Sequence, residues 1–184
     1  MRWQSVVAAF AAFACVLIGF SARAEFVKYV PVTVSGYSGA ALSDFPVLVK
    51  LDATSVPGVY SDVKNAGADL KFTDGSGDGD YPYEVDTWNP SGTSCVWVKL
   101  PSFAAGAEFR MYYGDSFKTD NPSAADVWTG YDLVCHVNPS AADSSATYDS
   151  SPKNHPGKLN PDGAAVTGVI GNAYGLSSSV ADKG

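Results

Sequence analysis

The chain has 184 residues and a formal net charge of −7, with 46% hydrophobic and 17% charged residues. An acidic chain without a basic stripe lacks the surface potential that nucleic acids and anionic lipids require, so we exclude both as partners. The length allows one good hydrophobic core, or one small domain and part of a second.

The N-terminal segment has the pattern of a secretory signal peptide. Arg2 supplies a positive charge, and Val6–Phe20 form an apolar run that is too short to span a membrane and continue. Ala22-Arg23-Ala24 is a cleavage site of the A-x-A type. We therefore predict a signal helix in residues 1–24 with cleavage after Ala24. The product would be secreted, periplasmic or at the cell surface, without a membrane span in the mature chain.

The predicted mature chain would keep ten basic and all 19 acidic residues, which is a net charge of −9.

The sequence has three cysteines. Cys15 lies in the signal, where Phe13 interrupts the small-residue box that lipidation needs, so we favour ordinary cleavage. Cys95 and Cys135 remain, and they could pair in an exported protein. Two buried thiols in separate strands are the preferred interpretation.

From residue 26 onward, β-branched and aromatic residues alternate with polar ones at the period of a β-strand. Turn-forming segments rich in Gly, Ser, Asn and Pro separate six such runs, and one helical turn is predicted within residues 55–65. We predict an all-β protein in which residues 25–118 form an antiparallel β-sandwich. The residues predicted to face its core are Val30, Val32, Val34, Phe45, Val47, Val49, Leu51, Leu70, Phe72, Tyr83, Val85, Thr87, Val96, Val98, Leu100, Phe109, Met111 and Tyr113.

The chain changes character after Tyr113. Residues 119–130 are predicted to be a linker, and a further strand is predicted over Tyr131–Val137. Residues 138–184 have few apolar side chains and cannot build a core of their own. We therefore expect residues 131–184 to be ordered only by docking on the sandwich through Trp128 and Val134.

Five motifs within residues 45–114 resemble the bacterial domain of unknown function DUF2341. In chain order these motifs are Phe45–Leu51, Asp69–Asp74, Tyr81–Trp88, Val96–Pro101 and Met111–Gly114. The family has no established catalytic residues, so the resemblance implies none here.

Residues 131–184 resemble the beginning of a laminin-G or concanavalin A-like lectin domain. The similarity lies in Leu133–Val137, Tyr148–Gly157 and Ile170–Tyr174. A complete jelly roll of that kind needs roughly a hundred more residues, so we expect an incomplete lectin-like segment.

Together the two resemblances imply a noncatalytic module for adhesion or glycan contact at the bacterial cell surface, with glycans or surface proteins as partners. Two alternatives stay open. The chain could be an accessory module of a secreted polysaccharide-degrading enzyme. It could also be a periplasmic domain of an energy-transducing, ExbB/TolQ-like transport complex.

One candidate site is the loop between the third and fourth predicted strands. Side-chain oxygens alternate at Asp74, Ser76, Asp78 and Asp80, as in the first half of a calcium loop. The twelfth residue from Asp74 is Val85, where such a loop carries a bidentate glutamate. A solvated hairpin turn is therefore favoured over a Ca²⁺ site, and no other cofactor is predicted.

A second candidate site is the predicted solvent face of the fourth strand, which carries Glu84, Asp86 and Trp88. Two carboxylates about 7 Å apart beside an aromatic ring suit contact with a sugar. The alternative is a solvated face whose acids pair with basic residues of neighbouring strands. Hydrolysis by the two carboxylates is least favoured, because no substrate cleft is indicated. His136 and Cys135 would lie on opposite faces of a strand, which argues against a Cys–His site.

Overall fold

The computed structural model describes residues 28–114, 122–137, 146–155, 157–158, 164–170 and 172–175. The predicted signal helix and its cleavage site lie outside these residues. Within the described residues there are three short helical elements: α1 Val59–Asp62, a 3-10 turn Asn65–Gly67, and α2 Ala124–Val127. The same residues form ten strands: β1 Lys28–Thr33, β2 Leu42–Leu51, β3 Lys71–Asp74, β4 Tyr83–Thr87, β5 Ser94–Phe103, β6 Glu108–Tyr113, β7 Ala146–Thr147, β8 Gly157–Lys158, β9 Ala164–Thr167 and β10 Asn172–Gly175.

Six of these strands form two antiparallel sheets, which confirms the predicted all-β sandwich. The first sheet has the order β1-β6-β3, and the second has the order β2-β5-β4. Met111 lies opposite both Val30 and Phe72 in the first sheet. Val98 lies opposite both Val47 and Tyr83 in the second. Paired residues share one face, so both sheets present a row of apolar side chains to the space between them.

The hydrophobic core lies between the sheets. Most side chains predicted to face inward are buried there, and Phe72, Val96, Val98 and Met111 are completely inaccessible to solvent. The core is open where the outer edges of β1 and β2 face each other, and Phe45 is 36% exposed at that end. This opening has a volume of about 440 Å³. Four partly buried valines line it: Val30, Val32, Val34 and Val47.

The chain after the sandwich differs from the prediction in two respects. Residues 131–137 are not assigned as a strand, since their only β pairing with other described residues is an isolated bridge between Cys135 and Asp149. The predicted linker contains α2, which packs against β4 and β5. Further along, β7 pairs with β8 and β9 pairs with β10. In the described part of the chain, no helix has the length and hydropathy needed to cross a membrane.

Candidate functional site

The outer face of the second sheet is covered by α2 and by parts of the chain that follow it. These parts include Trp128, His136 and Ser150 and are called the C-terminal segment below. Trp97 of β5 lies at the centre of this contact. The Trp128 ring meets it edge-on at a centroid distance of 5.1 Å, and the His136 ring stacks on it at 6.0 Å. Trp128 also packs against His136 at 5.6 Å. The predicted docking through Trp128 is therefore confirmed by an aromatic cluster that the sandwich and the C-terminal segment share.

Glu84 of β4 joins three distant parts of the chain on this covered face. Its Oε2 accepts hydrogen bonds from Trp128 Nε1 at 2.5 Å and His136 Nε2 at 3.0 Å. Its Oε1 accepts one from the Ser150 hydroxyl at 2.5 Å. The Glu84 side chain is only 13% exposed. A carboxylate with three donors in such a place ties the segment to the sheet, because each donor would lose a partner if the segment moved away.

Asp86 extends the cluster on the other side of the imidazole. Its Oδ1 lies 3.9 Å from His136 Nδ1, and its side chain is 4% exposed. His136 thus stands between two carboxylates of the same strand face. This arrangement favours the imidazolium form, since both ring nitrogens then donate toward negative charge.

The surroundings shift the pKa of each group in this cluster. Burial opposes ionisation of Glu84, but the hydrogen bonds from His136, Ser150 and Trp128 outweigh it and lower its pKa. Burial also opposes protonation of His136, yet the Glu84 bond and the two negative charges raise its pKa. Burial raises the pKa of Asp86. The cluster is therefore best described as a half-buried Glu84–His136 ion pair.

We expect docking of the C-terminal segment to be strongest between about pH 4.5 and pH 6.5. The Glu84 contribution exists above its ordinary pKa of 4.5 and is lost as the pH falls through the lowered value. The His136 contribution exists below its ordinary pKa of 6.5 and is lost as the pH rises through the raised value. Asp86, whose pKa is raised by burial, weakens docking slightly as the pH rises above its ordinary pKa of 3.8 and the carboxyl ionises. The measurement is the NMR cross-relaxation between the Trp97 and Trp128 rings. His136→Gln should abolish the loss at high pH, and an unchanged pH profile in that variant would contradict this assignment.

A small opening of about 160 Å³ leads from solvent to this cluster. Its lining includes Glu84, Asp86, His136, Tyr148 and Ser150. Tyr148 stands at the rim and is 64% exposed, so one aromatic ring remains available beside two carboxylates and an imidazole. The Ser150 hydroxyl donates to Glu84, so its proton is not directed at His136 and the two do not form a nucleophile–base pair.

Asp149 holds the segment that carries Tyr148 and Ser150 in shape. Its buried carboxylate accepts hydrogen bonds from the backbone N–H groups of Val134, Ser151 and His155, each at 2.8 to 2.9 Å. It also accepts one from the Ser151 hydroxyl. Burial opposes ionisation, but these donors hold the pKa of Asp149 well below its usual range. Val134 donates its backbone N–H to Asp149, and the predicted docking of its side chain on the sandwich stays a prediction.

The structure separates the three residues predicted to share one ligand-binding face. Glu84 and Asp86 stay together, but Trp88 packs on the hydrophobic core, with its ring edge-on to Tyr60 at 5.2 Å. The physical reason is a register shift in β4 between Val85 and Thr87. A bulge of this kind interrupts the strict alternation of side chains, so the residue beyond it need not follow the parity of the strand.

The loop predicted as a possible calcium site is held in shape by hydrogen bonds to its own Asp74 carboxylate. Asp74 Oδ1 accepts hydrogen bonds from the backbone N–H groups of Ser76, Gly77 and Asp78, each at 2.9 Å. It also accepts one from the Ser76 hydroxyl, and these bonds lower its pKa. The groups that donate to the Asp74 carboxylate belong to Ser76, Gly77 and Asp78 and do not include Asp80. Among the residues that the structure describes, no cluster of three or more His, Cys, Asp or Glu side chains is arranged to hold a metal ion.

Cys95 and Cys135 are both free thiols. Cys95 is buried in β5, and Cys135 is half-buried at its isolated bridge. The two thiols are separate, as the preferred interpretation has it, but Cys135 is neither fully buried nor part of a strand, contrary to that interpretation.

Sequence reasoning missed three members of this site: His136, Tyr148 and Ser150. His136 was considered only as a partner of Cys135. The available signal was a histidine within the apolar run Leu133–Val137, since a buried imidazole needs a polar partner. No spacing in the sequence indicates that the partner is Glu84, 52 residues away.

Comparisons with known proteins support part of the predicted resemblance. Residues 66–146 match the model of the family described as a domain of unknown function, DUF2341. The match covers β3 to β6, α2 and the loop that carries His136. No match was found among curated proteins, and none among solved structures. The lectin-like resemblance of residues 131–184 and the predicted domain boundaries stay predictions.

Proposed function

For this chain with its DUF2341 segment, we propose an exported, noncatalytic module that contacts glycans at the bacterial cell surface. The observation that carries the proposal is the exposed Tyr148 ring at the mouth of the opening lined by Asp86 and His136. Export is supported by the pattern of residues 1–24. Adhesion is the role that such contact would serve.

The chemistry of the opening suits a sugar. An exposed aromatic ring offers a flat apolar face for the C–H surface of a pyranose. Carboxylate, imidazole and hydroxyl groups around it offer acceptors and donors for sugar hydroxyls. An opening of about 160 Å³ suits one terminal sugar unit rather than a long chain.

The same geometry speaks against hydrolysis. A glycosidase needs one carboxyl group that stays protonated to serve as general acid, and it needs the other free to attack or activate water. Burial raises the pKa of Asp86, as a general acid requires. Glu84, however, would have to attack or activate water, and both of its oxygens are engaged by Trp128, His136 and Ser150. Its role is therefore to position the segment that carries Tyr148.

The proposal is tested by a glycan array with the mature chain beginning at Glu25, followed by titration of the best ligand. Tyr148→Ala should weaken binding of that ligand about tenfold or more, because the stacking face is lost. The control is Leu133→Ala, which removes an exposed side chain (58%) from the same segment.

Equal affinities of wild type and Tyr148→Ala would contradict this site. Release of reducing sugar that disappears in Glu84→Gln would contradict the noncatalytic role.

A further inference from the structure

We propose that the outer face of the first sheet is a second, independent glycan-binding surface, formed by Tyr29, Tyr112 and Arg110 and suited to uncharged polysaccharides. This surface is called the open face below. The proposal takes its ligand class from the proposed function but uses no residue of the Tyr148 site.

The open face is built by the register of β1, β6 and β3. Tyr112 lies opposite Tyr29 on one side and opposite Lys71 on the other. Arg110 lies one row further along, opposite Pro31. These side chains share the face that points away from the core, because Val30, Phe109 and Met111 alternate with them toward the interior.

Two aromatic rings and a guanidinium form a continuous patch on this face. The rings of Tyr29 and Tyr112 are tilted by 39° with centroids 5.4 Å apart. The Arg110 guanidinium carbon lies 4.9 Å from the centroid of the Tyr29 ring. Tyr29 nevertheless remains 52% exposed. A large aromatic ring exposed on a strand in the middle of ordered structure offers a stacking surface at little cost in side-chain entropy.

The patch is held in place by the neighbouring loop. Arg110 Nη1 donates to the Ser76 carbonyl oxygen at 2.9 Å and to the Tyr112 hydroxyl at 3.2 Å. The loop is itself fixed by the Asp74 carboxylate, as described above. Both bonds involve Nη1, and a guanidinium carries five N–H donors. The arrangement therefore presents oriented donors at the edge of an aromatic surface, which is what recognition of sugar hydroxyls requires.

The two sheets differ in what covers them. In the described part of the chain, β1 and β3 make extended contacts only with β6, whereas β4 and β5 also contact α2. The covered face of the second sheet is occupied by the chain's own segment. On the first sheet, the Tyr29 ring is exposed to solvent and Tyr112 and Arg110 are partly exposed.

The charges on the open face indicate an uncharged ligand. Lys71 and Arg110 contribute two positive charges to this face, and Glu108 contributes one negative charge. The Asp74 carboxylate, at the start of the adjoining loop, adds a second negative charge close to Arg110, whose pKa is raised by the Tyr112 hydrogen bond and by this carboxylate. Because these charges offset one another, neither an acidic nor a basic polymer gains long-range attraction. An extended chain of pyranose rings fits a row of two neighbouring aromatic rings better than a branched or helical one.

The test uses the mature full-length chain and cellohexaose, with a polygalacturonate hexamer as the acidic comparator. Backbone NMR shifts should move at Tyr29, Arg110 and Tyr112 on addition of cellohexaose. Tyr29→Ala should weaken cellohexaose binding about tenfold or more, whereas Tyr29→Phe should keep it, because the ring and not the hydroxyl provides the stacking face.

The outcomes separate this proposal from the Tyr148 site. Retained cellohexaose binding in Tyr148→Ala, with loss in Tyr29→Ala, supports the open face. Unchanged affinity in Tyr29→Ala, or loss only in Tyr148→Ala, would overturn it and leave the Tyr148 site standing. Tighter binding of the acidic hexamer than of cellohexaose would overturn the assignment of an uncharged ligand.

Discussion

Phe72→Ala is expected to lower the free energy of unfolding of the sandwich by about 3–5 kcal/mol. Phe72 is completely buried between the sheets, with its ring 5.3 Å from that of Tyr83 and 6.4 Å from that of Phe109. The substitution removes the transfer free energy of a phenyl group and leaves a cavity that these two rings cannot fill without leaving their rotamers. The measurement is chemical denaturation of the mature chain, followed by circular dichroism.

The matched control for this prediction is Phe45→Ala. Phe45 is also an aromatic residue on the inner side of its sheet, but it is 36% exposed at the open end of the sandwich and packs on Phe103. Solvent already reaches its ring, so we expect less than half the loss seen for Phe72→Ala. Equal losses at the two positions would show that the core is not centred where the structure places it.

Glu84→Ala is expected to release the segment that follows the sandwich from the second sheet. Removing the carboxylate leaves Trp128 Nε1, His136 and the Ser150 hydroxyl without their shared acceptor in a half-buried place. Loss of one partner from such an ion pair costs about 3–5 kcal/mol, which is comparable with the whole docking energy of a short segment. The sandwich itself should stay folded, since Glu84 lies outside its core.

Release is measured by hydrogen exchange and by limited proteolysis. Backbone amides of Val134 and Ser151 should exchange faster in Glu84→Ala, whereas amides of β5 and β6 should keep their protection. Proteases should then trim the chain from its C-terminal side toward Asp126. Glu108→Ala is the control, because it removes an exposed carboxylate from the first sheet. Unchanged protection of Val134 in Glu84→Ala would show that the aromatic cluster alone holds the segment.

Most of the sandwich could be predicted because its strands obey one local rule. A β-strand buried on one face must alternate apolar and polar residues, and Val96, Val98 and Leu100 do so without interruption. The inward residues of the fifth and sixth strands are accordingly buried as predicted. The same rule failed at Trp88, because a bulge changes parity without leaving a mark in the sequence.

The candidate sites were predicted less well, because their members are distant along the chain. Glu84 and Asp86 were found as neighbours on one strand, and the structure keeps them together. Their partners His136 and Ser150 come from a segment that the sequence indicated as strand and polar loop. A hydrogen bond that spans 52 or 66 residues has no local signal that single-sequence reasoning can use.

The sequence by itself determined the all-β class and the inward face of nearly every strand of the sandwich. These properties depend on hydrophobic periodicity and on the balance of apolar and polar residues, which are local quantities. Only the tertiary structure decided which sheet face is covered. Glu84 was predicted to face solvent, but burying the ring of Trp128 against Trp97 brings the indole N–H to that carboxylate. Tyr29 stays exposed on the other sheet, where no described element makes an extended contact with β1 or β3 like that of α2 with β4 and β5.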